Sequence, residues 1–310
     1  MRRWLVRNRM SLFSAAIVLA YVAFIQWLLG WATILAQWRV VGLWAILAAV
    51  GLMTGSYLLR AWRIRDYFPN ETAGRFARLF RLTQIHNLLN VMLPFRSGEL
   101  SFPMLMHAEF GVSLARSVSA LMVMRLLDLH ALLAAGAVGL VVTSGRPWLG
   151  WLVWCAFLAL PAAGYAFKDR VVRLVAAWAP RRAQAMVAEM EAGLPADARL
   201  FARAWGMTLL NWFAKVAILA AVLGLMGVEP LSAALGGALG GELSAVLPFH
   251  APAGVGTYPA AITIGALAFG APAGPEPLEM LGRAGVNVHL MVIVSSLVGT
   301  ALSLVAARRG

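Results

Sequence analysis

Six stretches, 11–31, 40–59, 117–142, 148–167, 205–228 and 286–306, stay predominantly apolar for about twenty residues each, the length a helix needs to cross the hydrocarbon layer. Each predicts a transmembrane helix. With 61% hydrophobic and only 13% charged residues over 310 positions, the chain carries more apolar surface than a soluble domain of that length could bury. The expected class is an all-α polytopic membrane protein. The first run follows a basic start, exceeds a signal peptide's core and lacks a convincing cleavage site, so it is expected to remain as the first helix.

Two further apolar stretches, near 83–110 and 231–270, are interrupted by Pro and Gly. They predict broken or re-entrant helical hairpins. Arginine and lysine placement orients them: twenty lie at the N-terminus, at 60–81, at 116, at 168–203 and at the C-terminus, against Arg39 and Arg146 on the other side. The populated side should be the cytoplasm, with both termini in it. The first hairpin then enters from the cytoplasm and the second from outside, which is the plan of an inverted repeat with halves at about 40–143 and 205–306, a cytosolic connector at 168–204, and one transmembrane domain over 1–310.

Local spelling agrees with that plan. "LPFRSGELSFP" at 93–103 and "LPFHAPAGVGTYP" at 247–259 share Leu-Pro-Phe and then a Ser/Thr, aromatic, Pro triplet. Pro94 and Pro248 should end the preceding half-helices, and Ser101 and Thr257 should cap restarting ones. Gly98, Gly254 and Gly256 should permit the unusual backbone of the breaks. Gly51, Gly55, Gly236, Gly237, Gly240 and Gly241 suggest close helix packing. "RFARLFRLTQ" (75–84) suits a helix lying on anionic headgroups.

Ionisable groups at membrane depth are costly and mark candidate sites. The first hairpin supplies Arg96 and Glu99 with Asn87 and Asn90 around them, the third helix supplies Arg125 and Asp128, the fifth Lys215, and the second hairpin Glu242 and His250. Arg96 precedes a helix restart, where free backbone N–H groups and a guanidinium both favour a phosphate; it can equally pair with Glu99 three residues on. Arg125 and Asp128 share a helix face, as an ion pair or as substrate contacts. Glu242 between glycines needs a partner or a proton, while Lys215 can snorkel or pair.

Other chemistry is poorly supported. A single cysteine, Cys155, excludes internal disulfides and thiolate clusters. The five histidines show no ligand spacing, and "PAGVG" lacks the Lys-Ser/Thr continuation of a P-loop, so neither metal nor cofactor is expected. The net charge of +13 sits beside apolar runs and reads as topology, not as nucleic-acid binding.

"NVMLPFRSGEL" (90–100), "MRLLDL" (124–129) and "LPFHAPAGVGTYPAA" (247–261) together resemble the transmembrane, flippase-like domain of lysylphosphatidylglycerol synthases and its stand-alone relatives. The resemblance spans about residues 10–306. It implies a multi-pass inner-membrane protein, not an enzyme, that moves an anionic phospholipid or lipid-linked intermediate between leaflets, with Asn90, Pro94, Arg96, Gly98, Glu99, Arg125 and Asp128 at a central cavity. Pro259 stands where the family's late loop usually ends in Glu, and Glu242 is a substitute acid. The aminoacyl-transfer domain of the full synthases is missing from this sequence. The implied partner is a membrane lipid, with a second copy of the chain or envelope-biosynthesis proteins as further candidates. The alternatives are a membrane-embedded lipid-phosphate transferase or hydrolase using Glu99 or Glu242 as base, for which no clear nucleophile, metal set or nucleotide loop is seen, and an accessory protein of envelope lipid or glycolipid assembly.

Overall fold

A computed structural model describes residues 19–20, 22–27, 30–178, 184, 188–189, 191–246 and 251–308, without the side chains of residues 94, 95, 143, 176 and 308. The predicted first span and the residues Pro248 and His250 lie wholly or largely outside these. Among the described residues the structure is helical throughout: α1 (Trp31–Val41), α2 (Leu43–Tyr67), α3 (Phe76–Met92), a 3₁₀ helix (Pro94–Leu100), α4 (Ser101–Phe110), α5 (Leu114–Thr143), α6 (Pro147–Ala166), α7 (Lys168–Trp178), α8 (Ala198–Leu225), α9 (Leu231–Val246), a 3₁₀ turn (Pro252–Gly254), α10 (Thr257–Ala268) and α11 (Pro275–Arg308). Five of these, α2, α5, α6, α8 and α11, are long and apolar enough to span a membrane.

Four of the five spans, α2, α5, α8 and α11, are longer than the apolar runs that announce them. Gly42, at φ 83, breaks the backbone between α1 and α2 in a conformation that suits glycine. Beyond it α2 continues through Arg60, Arg63 and Arg65 to Tyr67, because Ala61, Ile64 and Tyr67 keep a buried helical face. Arg63, which lies beyond the predicted span 40–59, is 5% exposed. Similarly α8 starts at Ala198, so Arg199 and Arg203 belong to a helix and the connector is shorter than 168–204. The segment at 75–84 is corrected too: Leu79 and Leu82 are fully buried and Phe80 nearly so, which makes this the packed first half of α3 and not a helix lying on headgroups.

The chain forms two compact units. The first comprises Met1–Met53, Asn87–Glu99 and Val216–Leu297. It contains the α9–α10 hairpin, where backbones meet with no room for side chains: a Cβ on Gly240 would lie 2.2 Å from the Ala261 carbonyl oxygen, and one on Gly236 2.5 Å from that of Gly265. The Gly-xxx-Gly spacing thus serves close packing here. Gly51 and Gly55 differ, having no atom within 4 Å of such a Cβ among the described residues. Asn287 of α11 donates to the Ile34 carbonyl (2.9 Å) and to Gln37 Oε1 (2.7 Å) of α1.

The second unit comprises Thr54–His86, Leu100–Lys215 and Val298–Gly310. Ile64, Tyr67, Phe68, Leu79, Phe102 and Met106 centre its core. Its arginines are tied down: Arg203 Nε donates to Asp66 Oδ2 (2.7 Å), Arg81 pairs with Glu109 (2.8 Å) and Arg116 with Glu71. Gly111 closes α4 in the left-handed conformation (φ 69), its N–H returning to the His107 carbonyl (3.0 Å) and the Val112 N–H to that of Met106 (3.4 Å), and Ser113 caps α5 by accepting from the Arg116 amide (3.3 Å).

Candidate functional site

Both predicted breaks form. α3 stops at Met92, a 3₁₀ helix follows, and α4 restarts at Ser101; α9 stops at Val246 and α10 restarts at Thr257. The triplets mark the restarts but the hydroxyls do not cap them. Ser101 Oγ lies 2.9 Å from His86 Nδ1, and Thr257 Oγ1 donates to the Gly254 carbonyl (3.2 Å). Gly254 (φ 69) and Gly256 (φ 74) adopt left-handed backbone, as the second break requires. Gly98 is needed for space: a Cβ there would stand 2.6 Å from the Asn90 nitrogen and the Leu89 carbonyl. The 3₁₀ helix therefore folds directly onto the last turns of α3.

In the first unit this fold-back assembles one polar group. Arg96, with φ 53, is a non-glycine residue in the left-handed region, a conformation that costs about 1–2 kcal/mol and that functional positions often hold. Its guanidinium donates to Glu99 and to the Ala245 carbonyl at the end of α9. Asn90 Nδ2 donates to the same Glu99 oxygen (2.7 Å), and Asn87 Nδ2 reaches Ser296 of α11 (3.2 Å). Arg96 therefore joins the two breaks through a backbone carbonyl. Glu242, 1% exposed, accepts from the Tyr258 hydroxyl (2.8 Å), and Tyr258 stacks on His289 with centroids 5.1 Å apart.

The second unit holds the other group. Asp128 is 2% exposed and accepts from four donors: two guanidinium nitrogens of Arg63, Arg125 Nη1 (3.2 Å) and Trp212 Nε1 (2.8 Å). The predicted Arg125–Asp128 pair exists, yet Arg63 is the closer partner. Arg63 also donates to Thr208 Oγ1 (3.1 Å). Arg125 Nη2 lies 3.3 Å from His86 Nε2. Arginine can only donate, so His86 Nε2 is the lone-pair nitrogen and Nδ1 carries the proton toward Ser101. Lys215 rests its ammonium over the Trp212 ring, 5.3 Å from the centroid.

Sequence reasoning missed Arg63, Thr208, Trp212, Tyr258 and His289. Arg63 had a readable signal, since Arg60, Arg63 and Tyr67 fall at helical spacing on one face. Tyr258 and His289 had none, because their partners lie 16 and 31 positions away in sequence. Among the described residues no group of three His, Cys, Asp or Glu could hold a metal ion.

The model of the lysylphosphatidylglycerol synthase TM region matches residues 11–304, nearly the whole chain. The chain belongs to that family. No curated protein and no solved structure matches it. As a member of the lysylphosphatidylglycerol synthase TM region family with five long apolar helices among its described residues, it is a multi-pass membrane protein of a lipid-related family. Within this family member, the Arg96–Glu99 group of the first unit and the Arg63–Asp128 group of the second are two separate candidate sites.

Proposed function

We propose that the protein moves an intact anionic phospholipid, or a lipid-linked phosphate, between leaflets of the cytoplasmic membrane, with both termini on the cytoplasmic side. The observation that carries this reading is Arg96. Its side chain is 11% exposed and its charge is answered by the Glu99 carboxylate, in a helix break just before the restart of α4 at Ser101. A guanidinium fork fits phosphate as well as carboxylate. A lipid phosphate would take Glu99's place on Arg96; Glu99 would keep its hydrogen bond from Asn90 and, having lost its cation, would favour taking up a proton. The donors of Asn90 and Arg96 and the acceptor Glu99 bind and orient; no hydroxyl or thiol nucleophile stands among these three, so translocation without chemical change is the reading favoured over transferase or hydrolase activity. The arginine-rich ends support the cytoplasmic placement of the termini.

Arg96→Ala, reconstituted in proteoliposomes, is expected to lose translocation of a fluorescent anionic phospholipid while eluting as the folded protein. Wild-type transport by that variant overturns the assignment of Arg96. A chemically altered lipid product instead of a relocated one would make the protein an enzyme.

A further inference from the structure

We propose a second lipid site in the second unit, distinct from the transport group: the groove between α6 and α8 takes an acyl chain of a glycerophospholipid from the surrounding leaflet, with its phosphate at Lys168. The groove begins with small side chains. Ala162 and Ala166 of α6 and Ala198, Ala202 and Gly206 of α8 recur every four residues on their helices and line it. Rows of this kind ordinarily let two helices touch. Here they leave about 530 Å³ open, within the ~300–1,000 Å³ range of ligand pockets. The far wall is aromatic: Tyr165 and Phe201 stack with centroids 4.2 Å apart and an interplanar angle of 16°.

The groove is open to its surroundings and lined mostly by apolar side chains, so water along it would find few hydrogen-bond partners. An acyl chain fills it without that cost. Access is open, because the apolar window of α6 has no buried residue within the described structure.

The mouth carries the matching charge. Lys168 lines the groove with its ammonium 5.4 Å over the Tyr165 ring and 2.8 Å from Asp169. Helix α7 begins there. Its Val171, Leu174, Val175 and Trp178 are 56, 62, 50 and 84% exposed and share one face at i, i+3, i+4 and i+7 spacing, with Lys168 and Arg170 flanking that face. An exposed apolar stripe bordered by cations is the pattern of a helix lying in a membrane interface. A phospholipid whose chain enters the groove would therefore present its phosphate where α7 supplies cations.

The test uses the full chain in nanodiscs of mixed phosphatidylglycerol and phosphatidylethanolamine, released into mild detergent and weighed by native mass spectrometry. The wild type is expected to keep one phospholipid per chain. Ala202→Trp, which fills the groove, should lower that occupancy at least about tenfold, a factor equal to about 1.4 kcal/mol. Lys168→Glu should lower it severalfold, more for phosphatidylglycerol than for phosphatidylethanolamine if the retained lipid is the anionic one, and equally if the phosphate alone is read. Leu152→Trp, exposed on α6 away from the groove, and Arg96→Ala in the transport group should both keep the lipid. Full retention by Ala202→Trp, no lipid on the wild type, or loss in Arg96→Ala would each overturn the proposal. Should Ala202→Trp fail to purify as one species, Gly206→Val with Lys168→Glu decides by the same readout.

Discussion

Removing the Asp128 carboxylate tests whether the second unit depends on its buried charges. In Asp128→Ala, Arg63 at 5% exposure keeps only Thr208 Oγ1 at 3.1 Å; its Nε already has no partner among the described residues. Trp212 Nε1 loses its acceptor as well. Breaking a buried pair by deleting one partner costs about 3–5 kcal/mol, which is roughly a 100- to 4,000-fold fall in the folded-to-unfolded ratio. The double variant Arg63→Met/Asp128→Leu removes both charges and their desolvation together. It should recover to within about 1–2 kcal/mol of wild type, the remainder being the orphaned indole N–H and the loss of the carboxylate partner of the less buried Arg125. The assay is unfolding in mixed micelles by titrated sodium dodecyl sulfate, read by tryptophan fluorescence and arranged as a double-mutant cycle. Wild-type resistance of Asp128→Ala would refute the reasoning, and so would a double variant no more stable than the single one.

Gly240→Ala places a Cβ 2.2 Å from the Ala261 carbonyl oxygen, so it should destabilise by about 1–3 kcal/mol, seen as a lower melting temperature. An isolated helix would instead gain about 0.5–1 kcal/mol from that change, so the sign of the shift decides. At the groove mouth, the hydrogen bond from Lys168 holds the Asp169 carboxyl below the usual carboxylate range and the same bond raises Lys168. The pair is thus complete above the ordinary carboxylate range and through neutrality; it is lost as pH falls through the lowered Asp169 value or rises through the raised Lys168 value. Carbon NMR of Asp169 should show the low midpoint, and Lys168→Met should return it upward; an unchanged midpoint in that variant would remove Lys168 as the cause.

Sequence alone determined the class of the fold and the places where it breaks. Apolar runs of about twenty residues admit only spanning helices here, and Pro, Gly and a Ser/Thr-aromatic-Pro triplet act on their own backbone, so the restarts at Ser101 and Thr257 could be read locally. Pairings within one turn, such as Arg96 with Glu99 and Arg125 with Asp128, were legible for the same reason. The role of Arg63 was not, since a positive charge near the end of an apolar run looks like an orienting charge until a carboxylate 65 positions away is seen to receive it. Nor could the glycines be sorted: Gly55 and Gly240 read alike in sequence, and only the approach of Ala261 separates them. Tertiary structure decided whatever depends on partners distant in sequence. Long-range contacts follow from packing geometry, and neither residue type nor spacing along the chain encodes which helix arrives opposite.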